Sequence, residues 1–577
     1  MKLNPSLIAT RRDVLIGGLF GGLISAGPSL ATGFFEASDA GISAHNDGCI
    51  LCQVLRSRRL AEQLVRKPTQ PAISLLLAQG SGQSRSSDAG SAAPRSGSGK
   101  ITVIQPSWAL VARGGGLDML YEQDVIVKDD LVESVRPRQP TTDSRVDASG
   151  HILFPGFISG HSHAAAGTLT RGWIEENGVI DRSGPSRSFF RAMDLLDSLS
   201  EEDLDDLTAL NVAEMVRGGC TTQVEMSLSL KQVQSYVRVA TKYGVRGFAG
   251  GMVPGMTRLS PIWNRPLGRP DILEGADPDT LAEIAENLKY ARSVHGSSNG
   301  RINMMMAPSV TPVFTATSFK AIQDAVTELG TATHIHVQAN NNPTHQALIH
   351  EYWKARELEM IRNTGLLNQR VFGAHCYLED PEKDLAVMAN PNFTFVHCPS
   401  AAGAGQRAST QVYPEALAAG VNTSIGFDTH SNDYVENMKL ATIQGRARAM
   451  LLSKTSPVKM KEPTIWDAIK SATFSGAKGL GRNDLGRIEA GAKADLCTID
   501  VSGLLVGNGI APREPWNNLL YANGLSVRNV MIDGEWKVRD GDLIFDDEAR
   551  LKSRGGAAAK KIWDQLDRDG FFVKMPR

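Results

Sequence analysis

Two histidines stand two residues apart in Phe154-Pro155-Gly156-Phe157-Ile158-Ser159-Gly160-His161-Ser162-His163, at the end of an apolar run that follows a Pro-Gly turn. In a strand, the period of two sends both imidazoles to one side, where they can share a divalent cation. The chemistry this suggests is activation of water by a metal. The arrangement recurs after other short β-rich runs. His334-Ile335-His336 follows one of them, His375 ends the run 371–374, His397 ends 393–396 and Asp428 ends 423–427. A lone histidine is more often a hydrogen-bonded core or surface residue than a ligand. Five strand-end positions in chain order are poorly explained that way.

Something must bring these residues together. Polar groups at several strand ends, separated by helical stretches, suit an α/β fold of (β/α)8 TIM-barrel type that carries its chemistry on one rim. Hydrophobic periodicity predicts helices over 200–216, 278–294, 318–329 and 466–477, and Ser200 with Asp203 makes a helix start. Outside this region lie short β-like runs, 101–104 and 124–127 near one end and 494–500 and 527–537 near the other, with Gly114-Gly115-Gly116 as punctuation. Strand-rich segments that bracket a βα region predict a small β-sandwich domain built from both flanks. The expected organisation is 101–150 for the first part of the sandwich, 151–484 for the barrel, 485–545 for the second part, and 546–577 for a helical tail.

At 577 residues the chain is too long for one ordinary domain. Its 42% hydrophobic and 21% charged content is that of a folded protein, and a net charge of −1 gives no basic field to attract nucleic acid. Residues 1–40 are set apart from the fold. Thr10-Arg11-Arg12-Asp13-Val14-Leu15-Ile16 opens a Gly-rich apolar stretch that resembles a twin-arginine export signal, so a periplasmic or exported protein is expected. The stretch is short and glycine-diluted for a retained anchor, and the signal is the only membrane contact expected. Residues 41–100 read as an extension, with a basic amphipathic stretch at 54–67 and a Gly/Ser-rich linker from 79. Cys49 and Cys52 form one C-x-x-C with no second pair, which favours a disulfide or free thiols over zinc. Cys376 and Cys398 read as packing residues.

Further motifs are Gly218-Gly219-Cys220-Thr221-Thr222, His397-Cys398-Pro399-Ser400, Gly426-Phe427-Asp428-Thr429-His430-Ser431-Asn432-Asp433 and Gly486-Arg487-Ile488-Glu489-Ala490-Gly491-Ala492-Lys493-Ala494-Asp495-Leu496. Together with the histidine motifs, in this order, they resemble the amidohydrolase superfamily over about residues 101–545. The branch is that of cytosine and guanine deaminases, adenosylhomocysteine-type deaminases and triazine hydrolases. The resemblance implies that His161 and His163 on the first barrel strand, His336 on the fifth and Asp428 on the eighth hold a metal. It places His375, ending the sixth, beside the attacking water or the reacting carbonyl. Three neutral imidazoles and a carboxylate suit one divalent cation, zinc first and iron(II) as the alternative. Asp428 would move a proton from water to the leaving nitrogen while His375 stabilises oxyanion charge. The fourth-strand candidate, 302–310, holds no lysine or acid to bridge a second metal, so a single metal is expected.

The chain also departs from that pattern. Deaminases of this branch carry a glutamate three residues after the fifth-strand histidine; here Ala339 stands there, between Gln338 and Asn340. Neither amide titrates usefully, so ring deamination is disfavoured, while Gln338 is open between orienting a substrate and a structural hydrogen bond. Ala401-Ala402 replaces a common Ser-Asn. The loop 164–190 carries Arg171, Trp173, Arg187, Phe189 and Phe190, either an apolar wall with a cation or ordinary packing. The candidate substrate contacts are Gln338, His334, His397, His430 and Trp173, with His334 open between a supporting and a pore-lining role. Glu225 reads as an orienting group, and His151, His295, His345 and His350 as surface or packing residues. The leading expectation is a metal-dependent hydrolase of non-peptide C–N bonds of amide, urea or carbamate type in a small molecule. The alternatives are a heteroaromatic ring deaminase or dehalogenase, and a catalytically silent exported binding protein. A homo-oligomer is left open.

Overall fold

Eight short strands, with almost every residue buried, lie side by side in parallel. Burial of this kind belongs to strands covered on both faces. In the computed structural model, which describes residues 99–140, 145–171, 187–337, 342–404, 411–503 and 512–570, they occur in chain order. The first four are Phe157–Ser162, Cys220–Ser227, Arg246–Val253 and the pair Ile302–Met304 with Ala307–Pro308. The rest are Ala332–Val337, Arg370–His375, Phe393–His397 and Asn422–Ile425. Bridges Met306–Thr333 and Val310–His336 join the fourth to the fifth, and Ile425–Ser159 with Ser162–Asp428 returns the eighth to the first. The sheet is therefore closed, and its helices lie between successive strands, as the alternating pattern predicts.

The helices show why they start and stop where they do. Helix Glu201–Arg217 begins where the Ser200 side chain accepts from the Asp203 N–H at 3.2 Å, and three acidic residues fill its first turn, where the helix dipole favours them. It buries Leu204, Leu207, Val212 and Val216. Helix Ala316–Leu329 opens with a reciprocal Thr315–Ser318 capping box and ends at Gly330, whose φ of 61° closes the last turn. Two expected boundaries move. Pro278 reads as a helix start, yet Pro270 takes that place and the helix Pro270–Val294 runs through Pro278. The span 466–477 is two helices, Ile465–Ala472 and Phe474–Gly479, broken at Thr473 with φ −130° and ψ −92°.

The flanks build a second, β-sandwich domain. Strands Ile101–Arg113, Gly116–Tyr121, Gln123–Lys128, Leu131–Pro137 and Arg145–Pro155 come from one side of the barrel. Strands Leu496–Asp500, Val527–Ile532, Glu535–Arg539 and Asp542–Leu543 come from the other. Leu496–Asp500 pairs antiparallel with Arg145–Pro155 and so joins the two flanks, around a core that includes Ile104, Val111, Val125, Leu153, Leu496 and Met531. The run 527–537 is a hairpin that turns at Asp533-Gly534, both with positive φ. Residues 151–155 belong to this domain, so the first barrel strand starts at Phe157 and not at 151. The switch occurs at Gly156, whose N–H bonds Asp495 O at 2.8 Å and where a Cβ would stand 2.2 Å from Thr221 Oγ1. The final helix of the described residues, Glu548–Arg568, packs on Glu201–Arg217, with Gly555 against Leu210, and buries Leu551, Ala558 and Ile562.

A buried ion cluster ties the domains together. Arg246, the first residue of the third barrel strand, bonds Asp495 at 2.8 and 3.1 Å and Asp533 at 2.9 Å. Among the described residues no helix is long and apolar enough to cross a membrane. The expected signal, the linker, Cys49, Cys52, Trp173, Gln338 and Ala339 lie outside the described residues.

Candidate metal centre

Because all eight strands are parallel, their C-terminal residues share one rim, and the histidine-rich positions converge there. His336 Nε2 lies 3.3 Å from His163 Nε2. Asp428 Oδ1 stands 3.5 Å from His163 Nε2 and 3.9 Å from His161 Nε2, and Asp428 Oδ2 is 3.7 Å from His375 Nε2. Donors about 2 Å from a common cation are separated by distances of this order. The ring of His375 lies parallel to that of His336, with centroids 5.5 Å apart.

The opposite edge of each ligand ring is anchored. His163 Nδ1 donates to the carbonyl of Met226, at the end of the second strand, and His336 Nδ1 donates to Ser309 O at 2.8 Å. His161 Nδ1 lies 2.8 Å from His334 Nε2. These contacts turn the Nε2 atoms inward, and the His161 Nε2 atom is buried with no hydrogen-bond partner among the described residues. A buried, unpartnered nitrogen facing two imidazoles and a carboxylate is what a cation would satisfy, so the residues present fit a metal.

Electrostatics prepares the same state. Burial, reinforced by the neighbouring imidazoles, holds His161 well below the ordinary histidine range, and burial likewise brings His336 to about 3. Burial also lowers His163, against the opposing pull of Asp428. Burial by itself would raise the Asp428 carboxyl, but His375, His163, His430 and His336 outweigh it and lower its pKa. The cluster therefore presents neutral imidazoles and an ionised carboxylate, the protonation states that ligate. His375 and Asp428 also hold φ values of 74° and 57°, a left-handed backbone rare outside glycine and concentrated at functional sites.

Other expected contacts lie elsewhere. His334 is fully buried beneath the cluster and bonded to His161, which corrects its placement among substrate contacts: a ring with no exposed surface cannot line the pore. His397 is also enclosed, with Nδ1 2.8 Å from Gln411 Oε1 and its ring stacked on Tyr413 at 4.9 Å. His430 is half-buried, close enough to Asp428 to act on its charge. Arg171 faces Glu214 and Asn211 and supplies no cation to a substrate wall. Glu225 accepts from Ser162 Oγ at 2.7 Å, the Ala164 N–H at 2.9 Å and Ser227 Oγ at 2.9 Å, so it braces the strand end that carries His161 and His163. Burial pushes its carboxyl up to about 7. His151, His295, His345 and His350 pair with Asp500, Met304, Trp263 and Glu379. The anchoring carbonyls of Met226 and Ser309 had no sequence signal, since every residue carries a carbonyl. Gln411 lies fourteen residues past His397 with nothing in its spacing to mark it.

The family described as "Amidohydrolase family" matches residues 152–537. The chain belongs to this family. A 5-methylthioadenosine/S-adenosylhomocysteine deaminase of Desulfitobacterium hafniense is 25% identical over 458 residues, covering 78% of this chain and 96% of the relative. A triazine hydrolase from Arthrobacter aurescens has the same fold with a TM-score of 0.65 and 17% identity, over 80% of this chain and 99% of that one. An adenosine deaminase from Xanthomonas campestris with bound zinc gives 0.62 and 20%, over 80% and 98%.

Proposed function

We propose that this amidohydrolase is a metal-dependent hydrolase that cleaves a carbon–nitrogen bond, other than a peptide bond, in a small molecule built on a nitrogen heterocycle. The observation that carries this reading is the gathering of the His161 and His163 Nε2 atoms on Asp428, with His336 Nε2 3.3 Å from His163 Nε2 and His375 alongside. These four ligands would hold one divalent cation, zinc by analogy with the zinc-bound neighbour. When bound, the cation supplies the Lewis acidity that makes water nucleophilic near neutral pH. Asp428, ionised and half-buried, accepts the proton of the attacking water and returns it to the leaving nitrogen. His375 donates a hydrogen bond where negative charge develops. Glu225 keeps the His161-Ser162-His163 strand end in place. The absence of a lysine or acid in 302–310 supports a single metal. The heterocyclic substrate class is supported by relatives named for deamination of adenosine-type compounds and by the triazine hydrolase neighbour.

A second reading, an amide, urea or carbamate hydrolase, is favoured by one observation. Ala339 carries no titratable group where proton delivery to a ring would need one. The Arg11-Arg12 motif ahead of an apolar stretch supports export to the periplasm with the signal removed.

The test is a zinc-replete preparation assayed for ammonia release from an adenosine-type nucleoside and an aminotriazine, and for aniline release from an anilide and a phenylurea. Turnover of the first pair supports the leading reading and turnover confined to the second pair replaces it. About one zinc per chain with no turnover of either pair would mark a binding protein without catalysis. Ala339→Glu should raise activity on rings alone.

A further inference from the structure

The anchors of the three metal-facing histidines are not equivalent. Met226 O and Ser309 O are carbonyl oxygens and can only accept, so the Nδ1 atoms of His163 and His336 must carry the proton and their Nε2 atoms the lone pair. The anchor of His161 is another imidazole, which can accept or donate. His334 Nε2 lies 2.8 Å from His161 Nδ1, the rings meet edge to face at 4.8 Å, and both side chains are fully buried. The other ring nitrogen of His334, Nδ1, is buried with no hydrogen-bond partner among the described residues. His334 and His336 are two residues apart on the fifth strand, so both rings enter the barrel interior, with His334 one layer deeper.

Resting on the metal reading above, we propose that His334 is a positioning residue for the metal centre. It accepts the Nδ1 proton of His161 and so holds the His161 Nε2 lone pair toward the cation. The alternative tautomer pair has His334 Nε2–H donating to His161 Nδ1, which puts the remaining His161 proton on Nε2 and removes it as a ligand. Cation binding and acceptance by His334 therefore favour the same proton arrangement. The buried, unpartnered His334 Nδ1–H is what that arrangement costs the folded chain. A ring placed here only for packing would need neither nitrogen.

The test separates acceptor from filler in metal-stripped full-length protein, with the zinc dissociation constant measured by competition against a chromophoric chelator. H334F keeps a ring of similar shape without an acceptor, H334L is a second apolar variant, and H334Q restores an oxygen near the Nε2 position. Loss of this supporting hydrogen bond should weaken zinc binding about 10–100-fold in H334F and H334L, while H334Q stays within about threefold of native. Melting of the metal-free variants shows that the fold is retained. Equal affinity of folded H334F or H334L and native protein overturns the proposal, and so does an H334Q as weak as the apolar variants. Native protein that holds no zinc overturns the parent reading and this one with it. Zinc-binding native protein matched by an apolar variant overturns this one alone.

Discussion

Two buried polar clusters sit at opposite ends of the same barrel, and burial acts on them in opposite ways. At the start of the third strand, Arg246 meets Asp495 and Asp533, while Arg301 reaches Asp533 at 3.1 Å. Burial alone would lower the Arg246 pKa, but the two aspartates outweigh it and raise it; burial would raise Asp533, and Arg246 outweighs that too. Opposite charges satisfy one another, so the cluster holds its charge balance without a ligand. At the other end of the strands, imidazoles crowd around one carboxylate, burial drives the rings neutral, and their lone pairs are aimed inward. That cluster is completed by a ligand. The first arrangement joins domains and the second does chemistry, in keeping with the division of labour between the two faces of such barrels.

The contrast is sharpest in single substitutions. Asp428→Asn should lower kcat/KM by about 10²–10⁴-fold with little change in melting temperature, which steady-state assays alongside thermal melts will show. Arg246→Met does the reverse. It leaves Asp495 without its ion-pair partner and Asp533 with only Arg301 and Lys493, and should cost about 3–5 kcal/mol in denaturant unfolding, while the protein that remains folded binds zinc normally. Loss of zinc binding in folded Arg246→Met would dissolve the distinction between the two ends.

A smaller effect tests the brace beside the metal site. Glu225 titrates at about 7 in the fold against an ordinary 4.5, chiefly because it is buried. The folded, metal-free protein therefore holds this proton more tightly than the unfolded chain does. Its stability contribution is full below pH 4.5 and is lost as pH rises through about 7, by roughly 3 kcal/mol at most. Glu225→Gln removes this slope, so the variant should gain on the native protein as pH rises, as read from urea midpoints across that window. The smallest effect belongs outside both clusters. Lys320 pairs with Asp324 one helical turn away, with both side chains more than half exposed, and Lys320→Ala should shift stability by no more than about 0.5 kcal/mol.

Much of this was legible in the residues alone. The β-rich runs ending in His161, His336, His375, His397 and Asp428, with helical periodicity between them, announce a barrel with a polar rim. The bracketing strands announce a domain made from both flanks. Less legible were the boundaries. Pro278 is compatible with a helix start and with a helix interior, and only the packing of Pro270–Val294 distinguishes them. Likewise, residues 152–155 form a continuous apolar run that would bury as well in one domain as in the other, until their pairing with Leu496–Asp500 decides.

By itself the sequence determined which groups were available and on which side of each strand they fall, because side-chain type and the period of two are local properties of the chain. Only the tertiary structure decided what stands behind each group. His334 and His161 are 173 residues apart in the chain and 2.8 Å apart in space, and the carbonyls of Met226 and Ser309 carry no residue identity to read. Burial, which keeps the imidazoles neutral and lifts Glu225, is likewise a property of the closed barrel. Desolvation depends on everything packed around a group, and no stretch of sequence contains that.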